Sequence, residues 1–179
     1  MTVKSIHKAA NDLLEQFGSD QLPVRIEDVA RFKGINVVPF PLENDVSGIL
    51  VIEPGGATIG YNQEESRVRR RFTVAHELGH FMLHNTQNDR KVFVDNTFKV
   101  SNEFKVLFRS KHGQEEPTTA RMEFEANTFA AAILMPEKYV FQLINEIEFD
   151  LGDEAAVKEL SRRFDVSSTA MYYRLLNLR

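Results

Sequence analysis

The feature that most constrains this chain is His-Glu-Leu-Gly-His at residues 76–80, set in the apolar stretch from Phe72 to Leu83. Such a run predicts a buried helix. On a helix, two histidines four apart stand one above the other, about 6 Å apart in rise and roughly 40° apart in rotation. Both imidazoles can then reach one metal ion at about 2.0–2.1 Å. Glu77 is left beside that ion, where a carboxylate can take a proton from bound water. A buried helix has little reason to carry two histidines and a glutamate without a partner, because each is costly to desolvate alone. The competing reading, two core histidines bonded to backbone, is the weaker one on that ground.

Catalytic zinc usually keeps three protein ligands and one open position, so a third donor is needed. His84 would stand about 12 Å along the axis from His76 and roughly 80° further round, and suits a C-terminal helix cap better. His112 sits in a polar Lys-His-Gly segment and reads as a solvated loop; His7, on an N-terminal helical pattern, receives no role. A second helix can supply the donor. Residues 119–135 are strongly helix-forming and stop at Pro136. Glu123, Asn127, Ala130 and Leu134 share one stripe, and Ala126, Ala130 and Ala131 leave room for the zinc helix. On that stripe Glu123 is the favoured ligand, with Asn127 one turn on to hold a histidine. Glu125 points roughly 200° away and reads as solvent-facing, the weaker candidate.

The chain resembles the ImmA/IrrE family of metallo-endopeptidases. The resemblance is carried by Arg71-Phe-Thr-Val-Ala-His-Glu-Leu-Gly-His80 and by Glu123-Phe-Glu-Ala-Asn-Thr-Phe-Ala-Ala-Ala-Ile-Leu-Met-Pro136. Ile59-Gly-Tyr-Asn62 and Phe93-Val-Asp95 add to it. It implies His76, His80 and Glu123 as metal ligands and Glu77 as general base. It also implies an α+β, gluzincin-like minimal zinc-peptidase fold, with a small sheet packed on the two motif helices. Zinc is the expected cofactor, and manganese or iron(II) can occupy such a donor set. The expected partner is a helix-turn-helix repressor, whose cleavage would switch on mobile-element or stress-response genes. Tyr61, Arg109 and His112 are candidates for oxyanion or substrate contacts, none preferred. A DNA-binding regulator acting through the C-terminal helices, with the zinc domain as sensor and weak or conditional proteolysis, is one rival reading; a zinc-binding interaction or toxin–antitoxin module is the other. Glu77 and an open coordination position speak against it, since structural zinc is normally closed by four protein ligands.

Composition excludes several classes. The 179 residues are enough for one sizeable core, and 42% hydrophobic with 27% charged content is that of an ordinary globule. Without cysteine there are no disulfides, thiolate sites or cysteine nucleophiles. No segment has signal-peptide or membrane-spanning character, so a cytoplasmic location is expected. A net charge of -4 argues against general nucleic-acid affinity.

A helix is expected over residues 3–17, stopped by Gly18, and a short one from Glu27 to Phe32. Three strands are expected at Ile35–Phe40, Ser47–Glu53 and Ala57–Tyr61, the last two joined by Pro54-Gly-Gly56. An edge of this three-stranded sheet could pair with an extended substrate. Gly48 and Gly60 suit either close backbone approach or a bulge. Residues 85–118 read as a long loop or flap with short strand-like runs. Arg67, Arg69, Arg70 and Arg71 are expected to pair with Glu64 and Glu65. The peptidase domain is placed at 1–136 and a C-terminal helical segment at 137–179. Within the latter, Leu160 to Leu176 resembles a helix-turn-helix. Thr169, Tyr172 and Arg174 are its candidate face for DNA or a partner. Because basic charge there is thin, partner docking is favoured over direct DNA binding.

Overall fold

A computed structural model of the chain describes residues 1–42, 46–84, 91–96, 117–146 and 153–178. Helix α1 (Val3–Phe17) begins with a reciprocal cap: the Thr2 side chain accepts from the Ser5 N–H, and the Ser5 side chain accepts from the Thr2 N–H. It ends at Gly18, whose φ of 73° places it in the left-handed region that favours glycine. Its inner stripe, Ile6, Ala10, Leu13 and Leu14, is buried. Helix α2 (Ile26–Phe32) leads into the sheet.

Among the described residues the sheet has four strands, ordered β1-β3-β2-β4: β1 (Ile35–Phe40), β2 (Val46–Glu53), β3 (Gly56–Asn62) and β4 (Lys91–Asn96). β2 and β3 form the expected hairpin, β1 runs parallel to β3, and β4 pairs antiparallel with β2. The expectation of three strands is therefore corrected. The strand-like Val92-Phe-Val94 run of the 85–118 segment lies in β4, and its pairing with β2 is a non-local contact that local residue patterns do not encode; the similar runs at 98–100 and 104–108 lie outside the described residues. Ile35, Val37, Leu50, Ile52, Ala57 and Ile59 are buried on one face of the sheet. Helix α3 (Arg67–His84) packs against β2 and β3.

Helix α4 (Pro117–Leu134) crosses α3 at very short range. A Cβ placed on Gly79 would stand 3.1 Å from both the Cα and the carbonyl oxygen of Ala126. Helix α1 packs on α4 as well. After Pro136 come α5 (Glu137–Asn145), α6 (Glu154–Phe164) and α7 (Ser168–Asn177), making seven helices among the described residues. Asp153 caps α6 and Ser167 caps α7. Buried Val157, Leu160, Phe164, Met171 and Leu175 belong to the same core cluster as Val74, Leu78, Phe129 and Ile133. Among the described residues, no helix is long and apolar enough to cross a membrane.

Two arginine expectations change. Of the cluster at the start of α3, Arg69 pairs with Glu65 at 3.6 Å as expected, but Arg67 and Arg71 reach Asp165 at 2.7 and 3.2 Å. Arg71 Nε also donates to the Asp165 carbonyl at 3.1 Å, so the α6–α7 turn is clamped to α3. Arg174, expected on a recognition face, is 4% exposed. Its guanidinium donates to the Met135 carbonyl at 3.0 Å and to His7 Nε2 at 3.2 Å. Burial pulls its pKa down to about 10, against the opposing pull of Glu137. Arg174 stands about 200° round the helix from the solvent-exposed Tyr172 and shares the buried stripe of Ala170, Met171 and Leu175.

Gly79→Ala should cost about 1–3 kcal/mol, read from urea or thermal unfolding, because backbone rather than a mobile side chain meets the new methyl. A second expectation concerns pH. Burial first, then the Arg174 charge, lowers the His7 pKa from 6.5, while Glu137 opposes them. A folded-state pKa below the unfolded one gives stability that is complete above pH 6.5 and is lost as pH falls beneath it. Between about pH 7.5 and about pH 5.5 the wild type should lose more thermal stability than His7→Gln, which keeps an acceptor for Arg174 without titrating.

Candidate metal centre

Helix α3 directs His76 and His80 towards α4, and α4 answers with Glu123. The two histidine Nε2 atoms are 3.0 Å apart. Glu123 Oε2 lies 3.2 Å from His76 Nε2, and its Oε1 lies 3.2 Å from His80 Nε2. Donors held at about 2.0–2.1 Å on a tetrahedral ion stand about 3.3 Å apart, close to the Nε2–Nε2 distance and to the distance from each Nε2 to its nearer Glu123 oxygen. The three side chains form a group able to hold a metal. Burial alone would raise the Glu123 pKa, but the His76 and His80 imidazoles beside it hold it well below the usual carboxylate range. At His80, burial and the neighbouring His76 lower the pKa while Glu123 opposes them, which favours the neutral ring a metal needs.

The walls are specific. His76 Nδ1 donates to Asn127 Oδ1 at 2.9 Å, one helical turn on from Glu123. Phe93 of β4 stacks on His80 with ring centroids 4.8 Å apart, and Phe72 stacks on His76 at 6.3 Å. Glu77 is fully buried. The β2 backbone runs close to it: a Cβ on Gly48 would fall 2.3 Å from Thr73 Cγ2 and 3.2 Å from Glu77 Oε1. The β2–β4 register also shifts between Val46 and Gly48, so Gly48 combines close approach with an irregular ladder. Tyr61 pairs across the hairpin with Gly48, which puts it on the sheet face that abuts Glu77. Arg109 and His112 lie outside the described residues.

His84 and Glu125 are placed otherwise than the sequence led us to expect. His84 was assigned to a helix cap, yet its Nδ1 lies 3.1 Å from His80 Nδ1 and its Nε2 lies 3.0 Å from Glu125 Oε2. Glu125, read as solvent-facing, is only 5% exposed. Burial would raise its pKa, but the Met1 amino group, His84 and Arg121 bring it down to about 2. The error has a physical source. Rotation about the α4 axis separates Glu125 from Glu123, but His84 of α3 and the Met1 amino group close on that second side too. The i, i+4 spacing of His80 and His84 was the available signal.

A sheet laid against a histidine-bearing helix, with a crossing helix that brings a carboxylate to the two histidines, fits a zinc-peptidase-like fold. The chain belongs to the IrrE N-terminal-like domain family of peptidases, which matches residues 30–176, and this membership supports a metallopeptidase with a protein substrate. It is also similar to a protein of Bacillus phage phi105 named "Uncharacterized immunity region protein 2". The two are 29% identical over 144 residues, which cover 78% of each chain.

After zinc loading and dialysis, the wild type should retain about one equivalent of metal. Glu123→Ala and His80→Ala should retain almost none, and Glu125→Ala should lose distinctly less, as measured by elemental analysis. Equal loss from the two glutamate variants would overturn the ligand role of Glu123.

Proposed function

We propose that this protein is a zinc-dependent endopeptidase that cuts a partner helix-turn-helix repressor and thereby releases mobile-element or stress-response genes. The observation that carries the reading is the convergence of His76, His80 and Glu123 beside the buried Glu77. Bound zinc would supply a Lewis acid and lower the pKa of water towards about 7. Manganese or iron(II) would fit the same donors. Glu77 takes the proton as water attacks the scissile carbonyl, and then passes it to the leaving amine. The β2 backbone at Gly48 holds Glu77 in position from one side, and Tyr61 stands across the hairpin as the available oxyanion or substrate contact. Strand β4 is the sheet edge beside the centre, through Phe93, and offers an extended peptide a main-chain partner.

The chain divides in function at Pro136. Residues 1–136 form the peptidase unit, and the helices of 137–179 serve partner docking through the exposed Thr169 and Tyr172. Direct DNA binding is disfavoured: Arg174 is buried, and Arg162 and Arg163 both pair with Glu159. The immunity-region name of the phage relative fits a role in controlling a mobile element.

The decisive experiment incubates the zinc-loaded protein with the helix-turn-helix repressor encoded nearest its gene. The wild type should cut at one site, and Glu77→Gln should keep its zinc while losing about 10²–10⁴-fold in rate. Undiminished cleavage by that variant would rule out Glu77 as the base. A stable complex without cleavage would favour the interaction-module reading.

A further inference from the structure

Two side chains beyond the donor triangle are connected to it by consecutive hydrogen bonds. Glu125 Oε1 accepts from Arg121 Nε at 3.0 Å and from the Met1 amino group, which leaves Oε2 for His84 Nε2 at 3.0 Å. A carboxylate has no proton to give, so His84 is the donor and carries its hydrogen on Nε2. A neutral imidazole carries one N–H, so His84 Nδ1 is then an acceptor. His80 Nδ1 lies 3.1 Å from it and supplies the matching hydrogen. With that proton on Nδ1, the lone pair of His80 falls on Nε2, the atom that faces His76 Nε2 and Glu123.

We infer that Glu125 and His84 are positioning residues which, through the two-bond relay Glu125–His84–His80, fix the His80 tautomer and aim its Nε2 lone pair at the metal. The inference rests on reading His76, His80 and Glu123 as the metal ligands. His76 is set by a shorter device, the single bond from its Nδ1 to Asn127 Oδ1. Both ligand histidines on α3 are therefore oriented from α4, one by an amide oxygen and one by a carboxylate acting through a second imidazole. Outer partners of this kind raise ligand basicity and hold the ring angle.

The relay predicts an inversion as well as a loss. In Glu125→Gln the amide oxygen remains with Arg121, and the amide NH₂ faces His84 Nε2. That nitrogen becomes an acceptor, His84 Nδ1 becomes the donor, and the His80 proton moves to Nε2, where it blocks the metal. His84→Asn keeps an oxygen acceptor close to the Nδ1 position, whereas His84→Leu keeps none.

The test is carried out on the metal-free full chain, using long-range proton–nitrogen correlation spectra of the imidazoles. Zinc affinity is measured separately by competition with a chelator. Wild type and His84→Asn should show His80 protonated on Nδ1. Glu125→Gln should show it on Nε2, with zinc affinity about 10–100-fold weaker; His84→Leu should weaken zinc similarly and His84→Asn much less. An unchanged His80 tautomer and unchanged zinc affinity in Glu125→Gln would overturn the relay, even if His84→Leu failed to fold. Tautomers that follow the relay in a wild type that binds no zinc would support it and overturn the metal reading instead.

Discussion

The crossing of α3 and α4 at Gly79 and Ala126 is the contact on which the rest of the structure depends. At that crossing even a methyl group on residue 79 would meet the backbone of Ala126. Small side chains at a helix crossing allow the closest interaxial approach. Only at this range can Glu123 reach two imidazoles on the other helix at 3.2 Å while Asn127 reaches the far side of one of them. One residue with a larger side chain at the crossing would separate side chains that come from chain segments more than forty residues apart. The candidate metal centre is thus a by-product of backbone packing, set by glycine and alanine rather than by the side chains that converge there.

Polar groups line this packed seam, and their bonds explain why the seam tolerates them. A buried carboxylate is expensive unless it is paired. Glu123 is paired with two histidines and Glu125 with His84 and Arg121. Each of these contacts joins α3 to α4 or braces α4 on itself. The same groups that would organise a cation therefore also hold the two helices in register, which links folding of the seam to occupancy of the centre.

The C-terminal helices are tied down by a different set of interactions. Arg71 binds the α6–α7 turn through Asp165 and its carbonyl, and Arg174 inserts between His7 and the end of α4. Both guanidiniums are largely buried and bond to main-chain carbonyls, a role for which the planar, multi-donor arginine side chain is suited. The helix-turn-helix-like pair is consequently packed on the core, with Arg174 of its second helix turned inward.

The sequence by itself determined what lies within a single element. The α1 span, the β2–β3 hairpin, the histidine helix and the alanine-rich helix all follow from local periodicity, caps and turn residues. The spacing of His76, Glu77 and His80 fixed a metal motif, because a helix converts four residues into one face. The choice of Glu123 followed from its stripe with Asn127. Only the tertiary structure decided what required two elements to meet. It added β4 to the sheet, buried Glu125 against His84 and the Met1 amino group, drew His84 to His80 rather than to the helix end, and turned Arg71 and Arg174 inward. The physical reason is common to all five. A residue's burial depends on which other element covers it, and periodicity reports the faces of a helix or strand without saying how many of them are covered.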